Sequence, residues 1–202
     1  KSWKKYCKGY QIIEWNEGNF DISTAPLYVR QAYEAKKWAF VTDYVRLYVV
    51  YHYGGIYLDT DVEIIRKIDE LLSLKSFFGR EEEGYINTGL GFGAEKHTPI
   101  LLELLKDYDD IPFVLENGEY DITGCPERNT QKFLQRGLNM DNSEQFLEGD
   151  IKIFPEEYFC PRNYRTGEMN ITSNTYSIHH YDASWYSKDM KKEKQTRWQR
   201  KQ

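Results

Sequence analysis

The chain has 202 residues, enough to bury one sizeable core and few for two. Its 27 Lys and Arg against 32 Asp and Glu leave a net charge of −5, which argues against a dedicated nucleic-acid binder. With 40% hydrophobic and 29% charged residues, the composition is that of a folded chain rather than a disordered one.

In chain order, residues 11–15 (QIIEW) predict a short strand. Residues 28–37 predict a helix, and 39–53 a second, more apolar one that Gly54-Gly55 stops. The apolar triplet 56–58 predicts a short strand running directly into Asp59. Residues 76–79 and 89–93 predict further strands. Helices are predicted over 99–108 and 127–136, and late strands over 151–154 and 176–180. Helices alternating with short strands imply an α/β chain around a central sheet. There is no internal repeat and no low-complexity stretch.

Only the end of the chain changes composition. Residues 188–202 hold seven basic and two acidic side chains, so this stretch carries +5 and the remainder −10. With Met190 and Trp198 it is suited to lie on an anionic membrane surface. A solvated, frayed terminal helix is the plainer reading. The expected division is therefore 1–187 for the folded domain and 188–202 for a basic tail.

The longest apolar stretch, residues 44–58, is interrupted by Arg46, His52 and two glycines, so no membrane span is expected. The first ten residues are polar and lysine-rich, so no secretory leader is expected either. Cys7, Cys125 and Cys160 are sparse and form no CxxC pair. That usage fits a reducing, cytoplasmic compartment and speaks against a disulfide scaffold or a thiolate zinc site. Aromatics make up 16% of the chain. Tyr and Trp faces suit sugars and bases, although most of these rings are expected simply to pack.

The chemistry concentrates in residues 39–61, AFVTDYVRLYVVYHYGGIYLDTD. Asp59 and Asp61, one residue apart in a turn leaving a strand, can address one divalent cation. Strand ends of α/β sheets are where ligands usually sit. Taken alone the pair is a weak signal, because acidic turns are common. Asp43 and Arg46, three apart, share one face of the preceding helix. An i,i+3 ion pair is the bland reading. The functional reading is a carboxylate and a guanidinium held beside the metal, where they bind sugar hydroxyls and a phosphorylated donor.

Thr42-Asp43-x-x-Arg46 followed by Tyr53-Gly54-Gly55-Ile56-Tyr57-Leu58-Asp59-Thr60-Asp61 resembles the DXD-containing glycosyltransferases of the capsular-polysaccharide and α-mannosyltransferase type. The catalytic domains of the large clostridial glucosylating toxins share that core. Residues 2–15, 85–99 (YINTGLGFGAEKHTP), 122–126 (ITGCP) and 175–185 (TYSIHHYDASW) also resemble segments of the family. The likeness runs from about residue 2 to about 186.

The resemblance implies a GT-A nucleotide-diphospho-sugar transferase fold: one Rossmann-like α/β domain with a mixed central sheet. It implies transfer of a sugar from a UDP- or GDP-linked donor to a saccharide acceptor, with retention of configuration and with Mn²⁺ or Mg²⁺. Carried onto this chain, Asp59, Asp61 and His179 hold the metal, with His180 as the other choice for the histidine. Asp43, Arg46, Tyr57 and Asp59 bind the donor, and Ser184 and Trp185 close over its β-phosphate. Asp43, Arg46 and Asn87 line the reacting centre. The implied setting is bacterial-type surface-polysaccharide or capsule assembly, on an acceptor that the tail would meet at the inner membrane face if it is lipid-linked. Two departures stand out. The family's first strand has no counterpart before Lys1, so either the chain is shortened or the nucleotide pocket is built differently. Cys125 stands where the family runs Gly-Pro.

Two other readings compete. IYLDTDV also matches the nucleophile strand of haloacid-dehalogenase phosphohydrolases, with Asp59 attacking phosphorus. In that fold the motif lies on the first strand and an acidic loop follows, whereas here Gly149-Asp150 runs into IKIF. A non-catalytic nucleotide- or sugar-binding module is the second alternative.

Overall fold

A computed structural model of the chain describes residues 1–181. Its elements are α1 (Ser2–Tyr6), α2 (Leu27–Glu34), α3 (Trp38–Tyr53), β1 (Gly55–Tyr57), β2 (Val62–Ile64), β3 (Ser76–Gly79) and β4 (Phe92–Ala94). After them come α4 (Pro99–Lys106), α5 (Cys125–Leu134), β5 (Gln145–Leu147), β6 (Ile151–Phe154), α6 (Glu156–Phe159) and β7 (Ser177–His179). Ser184, Trp185 and the basic stretch 188–202 lie outside the described residues.

The architecture is mixed α/β. Among the described residues five strands form one sheet in the order β1-β4-β3-β6-β5. Only β3 and β6 run parallel; every other neighbouring pair is antiparallel. A separate two-stranded ribbon joins β2 to β7. Among the described residues no helix is long and apolar enough to cross a membrane.

Both faces of the sheet are covered, so every residue of SFFG and IKIF is buried, Ser76 and Lys152 included. Successive side chains of a strand point to opposite faces. Phe78, Ile151 and Ile153 enter the larger cluster, which α2, α3, α4 and α5 complete. Phe77 and Phe154 enter the smaller one, with Leu90, Phe159, Tyr176 and Ile64. Phe78 stacks on Phe92 of the adjoining strand at 5.4 Å. Each ring so buried contributes about 1.5–3 kcal/mol.

Helix α3 is the central one. Phe40, Val41, Tyr44, Leu47, Val49 and Val50 are all buried, and so are the polar Asp43 and Arg46. Gly54 ends it with φ +71, and its N–H bonds to Val50 O at 2.8 Å. A Cβ there would stand 3.1 Å from Lys96 N, so glycine answers both the backbone angle and the close approach.

The expected strand at 11–15 does not form. Ile12 and Ile13 are half exposed, and Trp15 leans on the Tyr53 ring at 5.1 Å. The following turn closes on itself instead: Asn16 N–H bonds to Asn19 Oδ1, and Asn19 Nδ2 to Glu14 O. Such local side-chain bonds compete with a ladder. The strand expected over 89–93 begins later, at Phe92, because Asn87 closes a turn onto Gly89 N–H. The other elements in this region lie within a few residues of expectation. The helix expected from 127 starts at Cys125, with Pro126 in its first turn.

Candidate active site

Asp59 and Asp61 sit where the chain leaves the sheet edge and enters the ribbon. Strand β1 ends at Tyr57, Val62 N–H bonds to Asp59 O at 3.0 Å, and β2 begins. The ribbon pairs Val62 with His179. That register delivers an imidazole from the far end of the chain to the aspartates. His179 Nε2 lies 3.2 Å from Asp61 Oδ1 and 3.9 Å from Asp59 Oδ2. One ligand atom from each of the three residues falls within 4.8 Å of the others. His180, the next residue, faces the other side and meets Glu63 Oε2 at 2.9 Å. The geometry thus joins His179, rather than His180, to the acidic pair. Helix α1 braces this ribbon: Trp3 Nε1 donates to Val62 O at 2.7 Å, and Ser2 Oγ accepts Ile64 N–H.

Arg46 ties the helix to the strand end. Its Nη2 reaches Asp43 Oδ1 at 3.4 Å and Asp59 Oδ1 at 3.2 Å. Nε bonds to Thr42 O, Nη2 to Thr42 Oγ1, and Nη1 to Cys125 Sγ. Tyr57 donates its hydroxyl proton to Asp59 Oδ1 at 2.8 Å, and its ring lies 5.4 Å from the guanidinium carbon. Burial alone would weaken the Arg46 charge, but Asp59, Tyr57 and Asp43 hold its pKa well above the ordinary value. Burial pushes the Asp43 carboxyl up against the pull of Arg46. Cys125, at the start of α5, adds to the pull that opposes this rise. The i,i+3 ion pair is therefore real, and it is one edge of a larger buried network.

Asn87 joins from the loop after β3. Its Oδ1 accepts Gly89 N–H at 2.7 Å and lies 3.7 Å from Cys125 Sγ, while its Nδ2 donates to Glu81 Oε2 at 2.6 Å. Gly89 is packed into the same centre. A Cβ there would stand 2.7 Å from Asp59 Oδ2 and 3.0 Å from both Arg46 Nη1 and Asn87 Oδ1. Asp43, Arg46, Tyr57, Asp59, Asp61, Asn87 and His179 thus form one connected cluster.

Gly89, Cys125 and Glu81 are members that the sequence reading left without a role. Glycine recurs through GLGFG, which hints at crowding but not at which glycine is crowded. Cys125 was visible as a departure from Gly-Pro, yet nothing local shows that it touches Arg46. Glu81 lies in the run EEE, which reads as a solvated surface.

The donor set fits a small divalent cation. Two carboxylates and an imidazole are ligands that Mn²⁺ and Mg²⁺ accept. Donors at about 2.1 Å on one ion stand at most about 4.2 Å apart, so the three need only a small closing movement. Among the described residues His179 Nδ1 is buried with no hydrogen-bond partner, and its polar contacts are on the Nε2 side.

Residues 1–78 match the family described as glycosyltransferase sugar-binding region containing DXD motif. An uncharacterised Arabidopsis thaliana protein is 39% identical over 127 residues, covering 60% of this chain and 18% of that protein. Human α-1,4-N-acetylglucosaminyltransferase is 35% identical over 74 residues, 36% of this chain and 20% of that enzyme. Inositol phosphoceramide mannosyltransferase 3 of Schizosaccharomyces pombe is 39% identical over 72 residues, 35% of this chain and 20% of that enzyme. The chain spans about a fifth of the length of these relatives. These likenesses do not favour the phosphohydrolase reading of Asp59. Over residues 1–78 the chain is similar to the glycosyltransferases whose sugar-binding region contains the DXD motif, and the named enzymes it resembles support that family.

Proposed function

We propose that the protein is a metal-dependent, retaining glycosyltransferase of GT-A fold that moves a hexose from a UDP- or GDP-sugar to a saccharide acceptor. The observation that carries this reading is the convergence of Asp59, Asp61 and His179 beside a guanidinium already bonded to Asp59. A divalent cation held by those three residues supplies Lewis-acid stabilisation for the departing diphosphate.

The protein's own groups do the rest. Tyr57 and Arg46 fix the Asp59 carboxylate from two sides, so the metal ligand is preorganised. Asp43 and Arg46 meet the donor sugar, and Asn87 faces the junction of donor and acceptor. Asp43 is paired with Arg46, and Asp59 with Tyr57 and Arg46, so neither is a free nucleophile. Retention then follows from same-face displacement. The sugar–phosphate bond breaks, the acceptor oxygen bonds to the same carbon, and its proton passes to the leaving phosphate oxygen. Ser184 and Trp185 belong to this proposal as closing groups over the β-phosphate.

The acceptor in this reading is a cell-surface glycan or polysaccharide, capsule included, and the reaction is cytoplasmic. Three buried, unpaired cysteines support a reducing compartment. Residues 1–187 form the transferase domain, and 188–202 rest against anionic lipid, where a lipid-linked acceptor would be met. Removal of 188–202 should weaken binding to anionic vesicles, and unchanged binding would retire that role.

The deciding experiment is a panel of UDP-, GDP- and CMP-sugars with Mn²⁺, scored for donor hydrolysis and for transfer to simple saccharides. Turnover of one donor, lost with EDTA and in Asp61→Asn, is the expected result. Turnover insensitive to EDTA would overturn the metal assignment. Mn²⁺-dependent nucleotide binding without turnover of any donor would favour a binding module.

A further inference from the structure

Asn87 has both ends of its amide committed, and the commitment gives it a direction. The Gly89 N–H can only donate, so the group facing it at 2.7 Å is the carbonyl oxygen. The other end, Nδ2, donates to Glu81 Oε2 at 2.6 Å. Rotating the amide by half a turn would set its NH₂ against the Gly89 N–H and its oxygen against the Glu81 carboxyl. The surroundings of Gly89 are tight, since a Cβ added there would stand 2.7 Å from Asp59 Oδ2 and 3.0 Å from Arg46 Nη1 and Asn87 Oδ1.

Glu81 is itself held by main chain. Its N–H bonds to Tyr85 O at 2.8 Å, and its carbonyl accepts Gly84 N–H at 3.1 Å. Arg80 and Ile86 bridge across the same loop, and Asn87 N–H returns to Gly79 O at 3.2 Å. Glu81 and Asn87 thus stand on two arms of one closed loop at the end of β3. The carboxyl also lies close enough to Cys125 and to Tyr181 to act electrostatically on both. Tyr181 in turn packs edge-on against the His179 ring, 4.2 Å between centroids.

We infer that Glu81 is a positioning residue for sugar transfer: it locks the Asn87 amide so that Asn87 offers an N–H, and not a carbonyl oxygen, to the substrate. The inference rests on the glycosyltransferase reading. Glu81 forms no bond to substrate and exchanges no proton in this role. It removes the amide's freedom to flip, so the remaining Nδ2 proton points at a substrate oxygen before the sugar arrives.

The test uses the full chain and three variants. Glu81→Gln keeps an oxygen at the same reach. Glu81→Asp keeps the charge but withdraws it by one methylene, and Glu81→Ala removes the group. In ¹⁵N–¹H spectra the Asn87 side-chain amide pair, identified by its loss in Asn87→Ala, should stay in place in Glu81→Gln. It should move and lose exchange protection in Glu81→Asp and Glu81→Ala. In donor turnover, Glu81→Asp and Glu81→Ala should lose about 10-fold or more in kcat, with Mn²⁺-dependent nucleotide binding unchanged. Glu81→Gln should stay within about threefold of the parent. Adding Glu81→Ala to Asn87→Ala should cost nothing further.

An Asn87 amide indifferent to all three variants overturns the inference, as does a full multiplicative loss in the double variant. So does Glu81→Asp behaving like the parent while Glu81→Gln fails, since charge rather than reach would then be the requirement. An amide that responds as expected in a protein that turns over no nucleotide sugar locates the failure in the glycosyltransferase reading, and the transfer role of Glu81 falls with it.

Discussion

The two halves of the candidate site are held by different forces. One half is local: Asp43, Arg46, Tyr57, Asp59 and Asp61 all fall within residues 43–61, on α3, β1 and the turn after it. The other half is assembled from Asn87, Gly89, Cys125 and His179, which belong to three distant segments. Charge organises the first half, through one guanidinium bonded to two carboxylates, a thiol and the backbone of its own helix. Backbone geometry organises the second, through ribbon register, a closed loop and the start of α5. The first half should therefore fail when a side chain changes chemistry, and the second when a backbone position changes shape.

The largest effect belongs to the joint between them. Asp59→Asn or Asp61→Asn should lower donor turnover by more than about 10²-fold, beyond the range for losing an outer-shell partner of a metal. Mn²⁺ titration of the same variants should show weakened binding; full activity in both would end the metal assignment.

Arg46→Lys tests the charged half. A lysine keeps the charge but cannot bond to Thr42, Asp43, Asp59 and Cys125 at once. It should cost about 2 kcal/mol of stability. For a chain of this size that is a drop of about 4–8 °C in Tm, and donor turnover should fall with it. An unchanged Tm and rate would mean that the fork geometry is unimportant.

Gly89→Ala tests the other half. The new methyl meets the ends of three side chains, not backbone, so the fold can give way cheaply. The site cannot, because those three ends are Asp59, Arg46 and Asn87. Turnover should fall by about 10- to 100-fold. The Tm should move by less than about 3 °C. A large melting loss with proportionate activity would erase the distinction between the halves.

The smallest effect separates two adjacent histidines. His180→Ala, at a surface pair with Glu63, should change turnover by less than about twofold. His179→Ala should weaken Mn²⁺ binding and lower turnover by about 10-fold or more. Equal effects would mean that strand alternation does not assign the ligand.

Much of the local half could be read from the chain alone. The helix ending at Gly54-Gly55, the short strand after it and the acidic turn follow from propensities and spacing that act within a few residues. The i,i+3 relation of Asp43 and Arg46 is fixed by helical pitch. The strands 76–79 and 151–154 were legible because burial on both faces makes them mostly apolar, with only Ser76 and Lys152 as exceptions. The failed strand at 11–15 marks the limit of that logic, since a strand exists only where a neighbour supplies its ladder. Which of His179 and His180 turns inward, that Cys125 touches Arg46, that Gly89 is crowded by Asp59, and that one member of EEE grips Asn87 all required the folded chain. Side-chain type and local spacing are written along the sequence. Register, crowding and the pairing of groups far apart come into being only when the sheet, ribbon and helix ends close on one another.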